Sequence, residues 1–278
     1  MKYTPLELLV SLASKEIQNG DRVIVGQGIP IVPGVVAKMT HAPKCILMTE
    51  AGIIDFLPYK SPFHIAESTT TKGFSYACDL ADTFTTILFR GCVDLCFLGA
   101  AQVDKFGNIN STVVGDYESP RIRLPGAGGA PDFIGHSKRT VITLRGGEFV
   151  EKLDYFSSPG YLTGGDSREK AGFTPGTGPS LLISTQGVFG FDEKTKELFL
   201  KGCFPGVEVE DIRKNVPWDL KIAPKLEKIN PPPEEHVRIF REFASGLMLR
   251  KSGNGEQLVN VVVDFIMGKG REKKLDEE

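Results

Sequence analysis

Arg22-Val23-Ile24-Val25-Gly26-Gln27-Gly28, then Gly34-Val35-Val36-Ala37-Lys38-Met39, then Cys45-Ile46-Leu47-Met48-Thr49 stand in close succession. A short β-branched run ending in glycines, an apolar stretch that continues as a helix and a second apolar run make strand, turn, helix, strand, the start of a βαβ unit. Upstream, Thr4-Pro5-Leu6-Glu7 reads as a capping box with proline at the first helical position, and Gly20 supplies a stop. Between them Leu6, Leu9, Val10, Ala13 and Ile17 form one apolar stripe at helical spacing, so this helix should lie on the sheet. Downstream, Thr86 to Arg90, Leu95 to Leu98 and Thr140 to Leu144 read as further short apolar strands. Such runs fit an α/β fold with an open, mostly parallel sheet.

The remaining chain divides by composition. The segment 104–131 is rich in Gly, Asn, Ser and Pro, and a loop of that length inside a compact domain is functional or disordered. Gly187 to Phe191 and Glu197 to Leu200 flank Asp192 to Lys196 as a β-hairpin. Pro231-Pro232-Pro233 precedes C-terminal helices expected over 234–268, and 269–278 form a charged tail. No internal repeat is present, so 1–278 reads as a single domain.

Of the 278 residues, 41% are hydrophobic and 24% charged, an ordinary globular balance that supports a core without disulfides. The net charge of -2, with no basic stripe, argues against nucleic acid as a partner. Five cysteines, an odd number, do not make a disulfide framework, and Cys92 and Cys96 have no second Cys/His pair beside them for zinc. The apolar run Leu8-Leu9-Val10 is too short for a secretory signal, and no stretch reaches the roughly 18 apolar residues of a membrane span. A cytoplasmic protein with reduced thiols and no membrane partner is expected.

Gly26-Gln27-Gly28 lacks the third glycine of a dinucleotide fingerprint, because position 31 is Ile, and Pro30 and Pro33 disturb the helix start. A tight turn with close backbone packing is the better account of these glycines. Glu50 follows the Cys45–Thr49 strand and precedes Ala51 and Gly52. Ligands in open α/β sheets gather at the carboxyl ends of strands, and small neighbours let a bulky ligand approach. The residues alone leave two readings open: an active-site carboxylate, or one that caps a following helix or pairs with a lysine. Gly126-Ala127-Gly128-Gly129-Ala130, between Leu124-Pro125 and Pro131, can present backbone N–H groups as an anion nest or oxyanion hole. The histidines (His41, His64, His136, His236) are scattered singly and signal neither a metal site nor a Ser-His-Asp triad.

These segments together resemble the beta subunits of family I coenzyme A transferases, the glutaconate transferase group. The likeness runs through Val25 to Pro30, Thr49-Glu50-Ala51-Gly52, Gly99 to Asp104, Phe106 to Thr112 and Gly115-Asp116-Tyr117, then Arg123 and Gly126 to Ala130. It continues through Asp154-Tyr155, Ser158-Pro159-Gly160 and Phe191 to Lys196, covering roughly residues 5–250. It implies a coenzyme A transferase (NagB/RpiA-like) sheet with helices on both faces, Glu50 as nucleophile, and 126–130 as the glycine-rich active-site loop. Gln102 falls where that family has a substrate-facing glutamine, and Gly28, Ala51 and Gly52 fall at the substrate or coenzyme A site. Ala51 stands where relatives often have Ser or Asn, which leaves the substrate open.

The implied chemistry is ping-pong transfer of coenzyme A between an acyl-CoA and a free carboxylic acid through a glutamyl-CoA thioester. Coenzyme A is then substrate and covalent intermediate, with no permanently bound cofactor and no metal. The implied partner is an alpha-type subunit, in a hetero-oligomer with the active site between the two. Arg121 and Arg123 could hold the second carboxylate of a dicarboxylic acyl group, or form ordinary ion pairs. The competing readings are hydrolase or lyase chemistry (ring-opening or decarboxylating) on the same scaffold, and a non-catalytic acyl-CoA-binding subunit.

Overall fold

The computed structural model describes residues 2–248 other than 27, 59–61, 63 and 64. The chain opens with α1 (Pro5–Lys15), capped as its sequence dictates. The Thr4 hydroxyl accepts from the Glu7 N–H, and the Glu7 carboxylate accepts from the Thr4 N–H at 2.7 Å. The helix ends at Lys15, one turn before Gly20. Then come β1 (Arg22–Val25), α2 (Ile31–Met39), β2 (Ile46–Met48), β3 (Ile53–Ile54), β4 (Tyr76–Ala77), the single turn α3 (Leu80–Asp82) and β5 (Leu95–Gly99). The middle of the chain holds short strands: β6 (Gln102–Val103), β7 (Ile109–Asn110), β8 (Val113–Gly115) and β9 (Pro120–Arg123). It continues with α4 (Ala130–His136), β10 (Arg139–Leu144), β11 (Glu148–Phe149) and α5 (Ser167–Lys170). Last are β12 (Pro179–Ser184), β13 (Gly187–Phe191), β14 (Leu198–Cys203), α6 (Val209–Arg213), β15 (Lys221–Ile222) and α7 (Glu234–Met248).

Ten strands make one sheet, in the order β15-β14-β13-β12-β10-β5-β1-β2-β3-β4. Its centre, β12-β10-β5-β1-β2, is parallel, and antiparallel strands extend it on both sides. The hairpin of β13 and β14 lies where the sequence places it. Strand alternation sorts the apolar side chains onto two faces. Val23, Val25, Leu47, Leu95 and Phe97 pack with α1, α2 and α7 on one face. Ile24, Met48, Cys96 and Leu98 pack on the other with Phe133 and Ile134 of α4 and Ile212 of α6. The result is the α/β sheet with helices on both faces that the sequence implies.

Two expectations change. Thr86 to Arg90 is not a strand: Thr83–Leu88 form one wide π turn that continues α3. Asp79 caps α3 through the Asp82 N–H, and the Thr85 and Thr86 hydroxyls donate back to the Ala81 and Asp82 carbonyls. That i→i-4 bonding lets β-branched residues sit in a helical turn. The segment 104–131 is folded as β7, β8, β9 and the start of α4, so it is neither a long structureless loop nor disordered. Of the C-terminal helices expected over 234–268, α7 covers Glu234–Met248, and the rest of that span with the 269–278 tail lies outside the described residues. No helix among the described residues is long and apolar enough to cross a membrane.

The amino ends of the central strands are tied by Asp94. Its carboxylate accepts from Arg22 Nε at 2.8 Å, from the Arg22 N–H at 2.9 Å and from Lys138 Nζ at 2.7 Å, joining the entries of β5, β1 and β10. Burial pushes this carboxyl up, but the Arg22 and Lys138 hydrogen bonds outweigh it and hold it well below the usual carboxylate range. A depressed folded-state pKa contributes stability that is present above the unfolded value and lost as pH falls toward the folded one. Asp94→Asn should therefore lower stability at neutral pH, with the gap from wild type narrowing as pH drops below about 3.9, the value of an unfolded aspartate. Urea midpoints measured from neutral pH downward check this; a gap independent of pH contradicts it.

Candidate active site

Glu50 sits at the carboxyl end of β2 in a tight turn. The Gly52 N–H donates to the Thr49 carbonyl at 3.1 Å, leaving Glu50 and Ala51 as the two central residues. The next element is β3, running antiparallel to β2, so Glu50 does not cap a helix. Thr49 anchors the turn from below: it is fully buried, and its N–H donates to the Ile53 carbonyl at 3.0 Å. Gly52 closes the turn with φ +86°, and a Cβ there would lie 2.0 Å from the Cys78 carbonyl oxygen. The chain after β4 thus lies directly on the turn, with the Cys78 N–H donating to the Gly52 carbonyl at 3.0 Å. Glu50 itself is half-buried.

The glycine loop, far along the chain, leads into α4, which packs on the same sheet face as Met48, and so meets this carboxylate. A Cβ on Gly129 would stand 3.0 Å from Glu50 Oε2, and one on Gly128 would stand 3.9 Å from both Glu50 oxygens. Gly128 also has φ +53°. Among the described residues the Gly128 and Gly129 N–H groups have no acceptor, whereas the Ala130 N–H is bound to the Ala127 carbonyl at 3.0 Å. Gly126 is tethered by Ser111, whose carbonyl accepts its N–H at 3.2 Å.

The third wall was not legible as a site in the sequence. The position a Gly129 Cβ would take lies 2.6 Å from the ring edge of Phe84 and 3.0 Å from that of Phe133, and these rings stack with centroids 5.2 Å apart. Phe84 and the Glu50 carboxylate therefore both border the space that a methyl group on Gly129 would take. The π turn carries Phe84 there, and such bulges often occur at functional sites. Its sequence signal was Asp79, a helix cap ahead of residues that otherwise resemble a strand.

Gln102 departs from the expectation of a substrate-facing group. It is 2% exposed, its Oε1 accepts from Asn110 Nδ2 at 2.8 Å and the Asp154 N–H at 3.1 Å, and its Nε2 donates to Asp154 at 2.9 Å. Asp154 in turn accepts from the Gly115 N–H at 2.8 Å, so Gln102 braces the end of β8 through Asp154. Gly28 turns the chain between β1 and α2 with φ +79°, and open space surrounds its missing Cβ. Arg121 and Arg123 are exposed on β9: Arg121 lies 3.9 Å from Glu148, and Arg123 donates to the Tyr117 carbonyl and covers that ring at 4.7 Å. Burial pushes the Cys45 and Cys96 thiols up to about 11 and about 12, so both stay protonated at neutral pH. Among the described residues no group of three or more His, Cys, Asp or Glu side chains could hold a metal ion.

Comparison with known proteins gives a consistent result. Residues 7–215 match the family described as Coenzyme A transferase. The chain is 34% identical over 241 residues to the beta-type subunit of 3-oxoadipate CoA-transferase of Pseudomonas knackmussii, covering 86% of this chain and 92% of that protein. It is 33% identical over 250 residues to the beta-type subunit of glutaconate CoA-transferase of Acidaminococcus fermentans, with the same coverage. The crystal structure of glutaconate coenzyme A-transferase from that organism superposes with a TM-score of 0.77 at 31% identity, over 87% of this chain and 95% of that one. The decarboxylase AibA/AibB shares the fold, with a TM-score of 0.72 at 24% identity.

Gly52→Ala puts a methyl group into the Cys78 carbonyl and forces alanine into positive φ. It should cost at least about 2 kcal/mol, lowering Tm by about 3 °C or more for a chain of this size. Differential scanning calorimetry reads this directly; a variant that melts with the wild type contradicts the packing described.

Proposed function

The chain belongs to the coenzyme A transferase family, and on that premise we propose that it is the glutamate-bearing subunit of an acyl-CoA transferase, with Glu50 as the covalent nucleophile. The observation that carries this is the meeting of the Glu50 carboxylate with the Gly128-Gly129 backbone at the carboxyl edge of the parallel sheet. A carboxylate is a weak nucleophile, but a thioester is an activated acyl donor, so the reaction needs positioning and charge stabilisation more than a strong base.

A Glu50 oxygen attacks the thioester carbonyl; the carbon–sulfur bond breaks, coenzyme A leaves as thiolate, and a mixed anhydride remains. The thiolate then attacks the glutamyl carbonyl of that anhydride and expels the first acid as its carboxylate, leaving a glutamyl-CoA thioester. The carboxylate of a second acid attacks this thioester and releases the thiolate again. Attack of the thiolate on the new acyl carbonyl yields the product acyl-CoA and regenerates the Glu50 carboxylate. No net proton is consumed. The Gly128 and Gly129 N–H groups, lacking acceptors among the described residues, supply the oxyanion donors, and losing one such donor typically costs about a hundredfold or more. Phe84 and Phe133 form the dry wall beside the carboxylate, which keeps water from the anhydride and thioester.

The partner is an alpha-type subunit, supported by the relatives, whose names mark each as one component of a larger enzyme. Coenzyme A is substrate rather than resident cofactor. The acids between which coenzyme A passes are carboxylic acids such as the 3-oxoadipate and glutaconate named for those relatives. Glu50→Gln keeps shape and hydrogen-bonding capacity while removing the nucleophile. In complex with the alpha-type subunit it should lose at least about a thousandfold in transfer rate, with assembly and acyl-CoA binding retained. Transfer at the wild-type rate would refute Glu50 as nucleophile. Loss of hydrolysis or decarboxylation without any transfer in the parent would assign the fold's other chemistry.

A further inference from the structure

Arg145 lies immediately beyond the carboxyl end of β10, on the turn into β11. That turn is pressed onto the segment after β5: a Cβ on Gly147 would stand 2.6 Å from the Ala101 carbonyl oxygen, and the Glu148 N–H donates to the same carbonyl at 2.8 Å. Held there, the Arg145 guanidinium is half-buried, and its Nη1 is shut off from solvent with no hydrogen-bond partner. No ion pair reaches it from the described residues, and burial alone acts on it, drawing its pKa down to about 10, so it stays charged at neutral pH. Arg168 makes the contrast. More deeply buried, and with its own Nε unpartnered, it nevertheless donates to the carbonyls of Pro159, Gly160, Ile134 and Gly135, which account for its position.

A guanidinium carried into a half-buried site without a counter-anion is costly unless an anion completes it. We propose that Arg145 receives a phosphate group at the nucleotide end of the bound acyl-CoA. Both Arg145 and Glu50 follow the carboxyl ends of parallel strands in one sheet, so they share the edge where ligands gather. The order β10-β5-β1-β2 separates their strands by three spacings, about 14 Å at roughly 4.8 Å each. With the thioester at Glu50, the long pantetheine arm carries the nucleotide phosphates over a separation of that order along the same edge. Planar guanidinium suits phosphate through paired N–H donors, here those of Nε and Nη2, since the enclosed Nη1 is out of a ligand's reach. This assignment rests on the acyl-CoA function proposed above.

The test is calorimetric titration of the complex of this chain with its alpha-type subunit. Coenzyme A and its phosphate-free fragment pantetheine are compared on wild type, Arg145→Gln and Arg145→Lys. Arg145→Gln should weaken coenzyme A about tenfold or more, leave pantetheine unchanged, and be partly rescued by Arg145→Lys. Unchanged coenzyme A affinity, or equal weakening of both ligands, overturns the assignment. A variant that binds coenzyme A normally but separates from the alpha-type subunit also overturns it, giving the anion to the partner. Because binding is read without turnover, failure of Glu50 as nucleophile would leave this result standing, and the reverse.

Discussion

The turn from Thr49 to Gly52 closes because its last residue has no side chain, and the geometry of the site depends on that. The chain leaving β4 passes so close that the Cys78 carbonyl occupies the space a Cβ would need. Its contact fixes the turn from outside, while buried Thr49 fixes it from within the sheet. Glu50 is thereby presented at the sheet edge on backbone that cannot relax without breaking β3 and β4. Precise placement of a carboxylate matters here because nothing in the proposed chemistry makes it a stronger nucleophile; it acts by being in position.

The same segment that locks the turn also delivers the opposing wall. After Cys78, the Asp79-capped turn and the π turn carry Phe84 across to Gly129, so one stretch of chain controls both the carboxylate and the ring beside it. The glycine loop is tethered separately, through Ser111 at Gly126, while Gln102, Asp154 and Asn110 hold β8. Gly129 has no room for a methyl group between Phe84, Phe133 and Glu50, which explains glycine at that position better than flexibility does. At the opposite end of the sheet Asp94 joins three strand entries.

The βαβ start, the strand leading to Glu50 and the glycine run at 126–130 were legible because each depends on local pattern: β-branched runs, helical spacing and consecutive small residues. The helix cap at Thr4 was legible for the same reason. Phe84 was not, because Thr85 and Thr86 carry strand propensity and their hydroxyl bonds to the preceding turn are settled by tertiary packing. The reason for Gly52 was hidden too, since it lies in a carbonyl 26 residues away in sequence. Gln102 could be singled out only by resemblance, as a substrate-facing group, and its inward orientation depends on Asp154, which no local pattern reveals.

Whether Glu50 carries coenzyme A covalently is decided by trapping. The chain, assembled with its alpha-type subunit, is incubated with acyl-CoA and treated with borohydride, and its peptides are weighed by mass spectrometry. Reduction of the Glu50 side chain to the alcohol, dependent on acyl-CoA and confined to that peptide, is the predicted result. Acyl-CoA turnover with an unmodified Glu50 peptide would contradict the account.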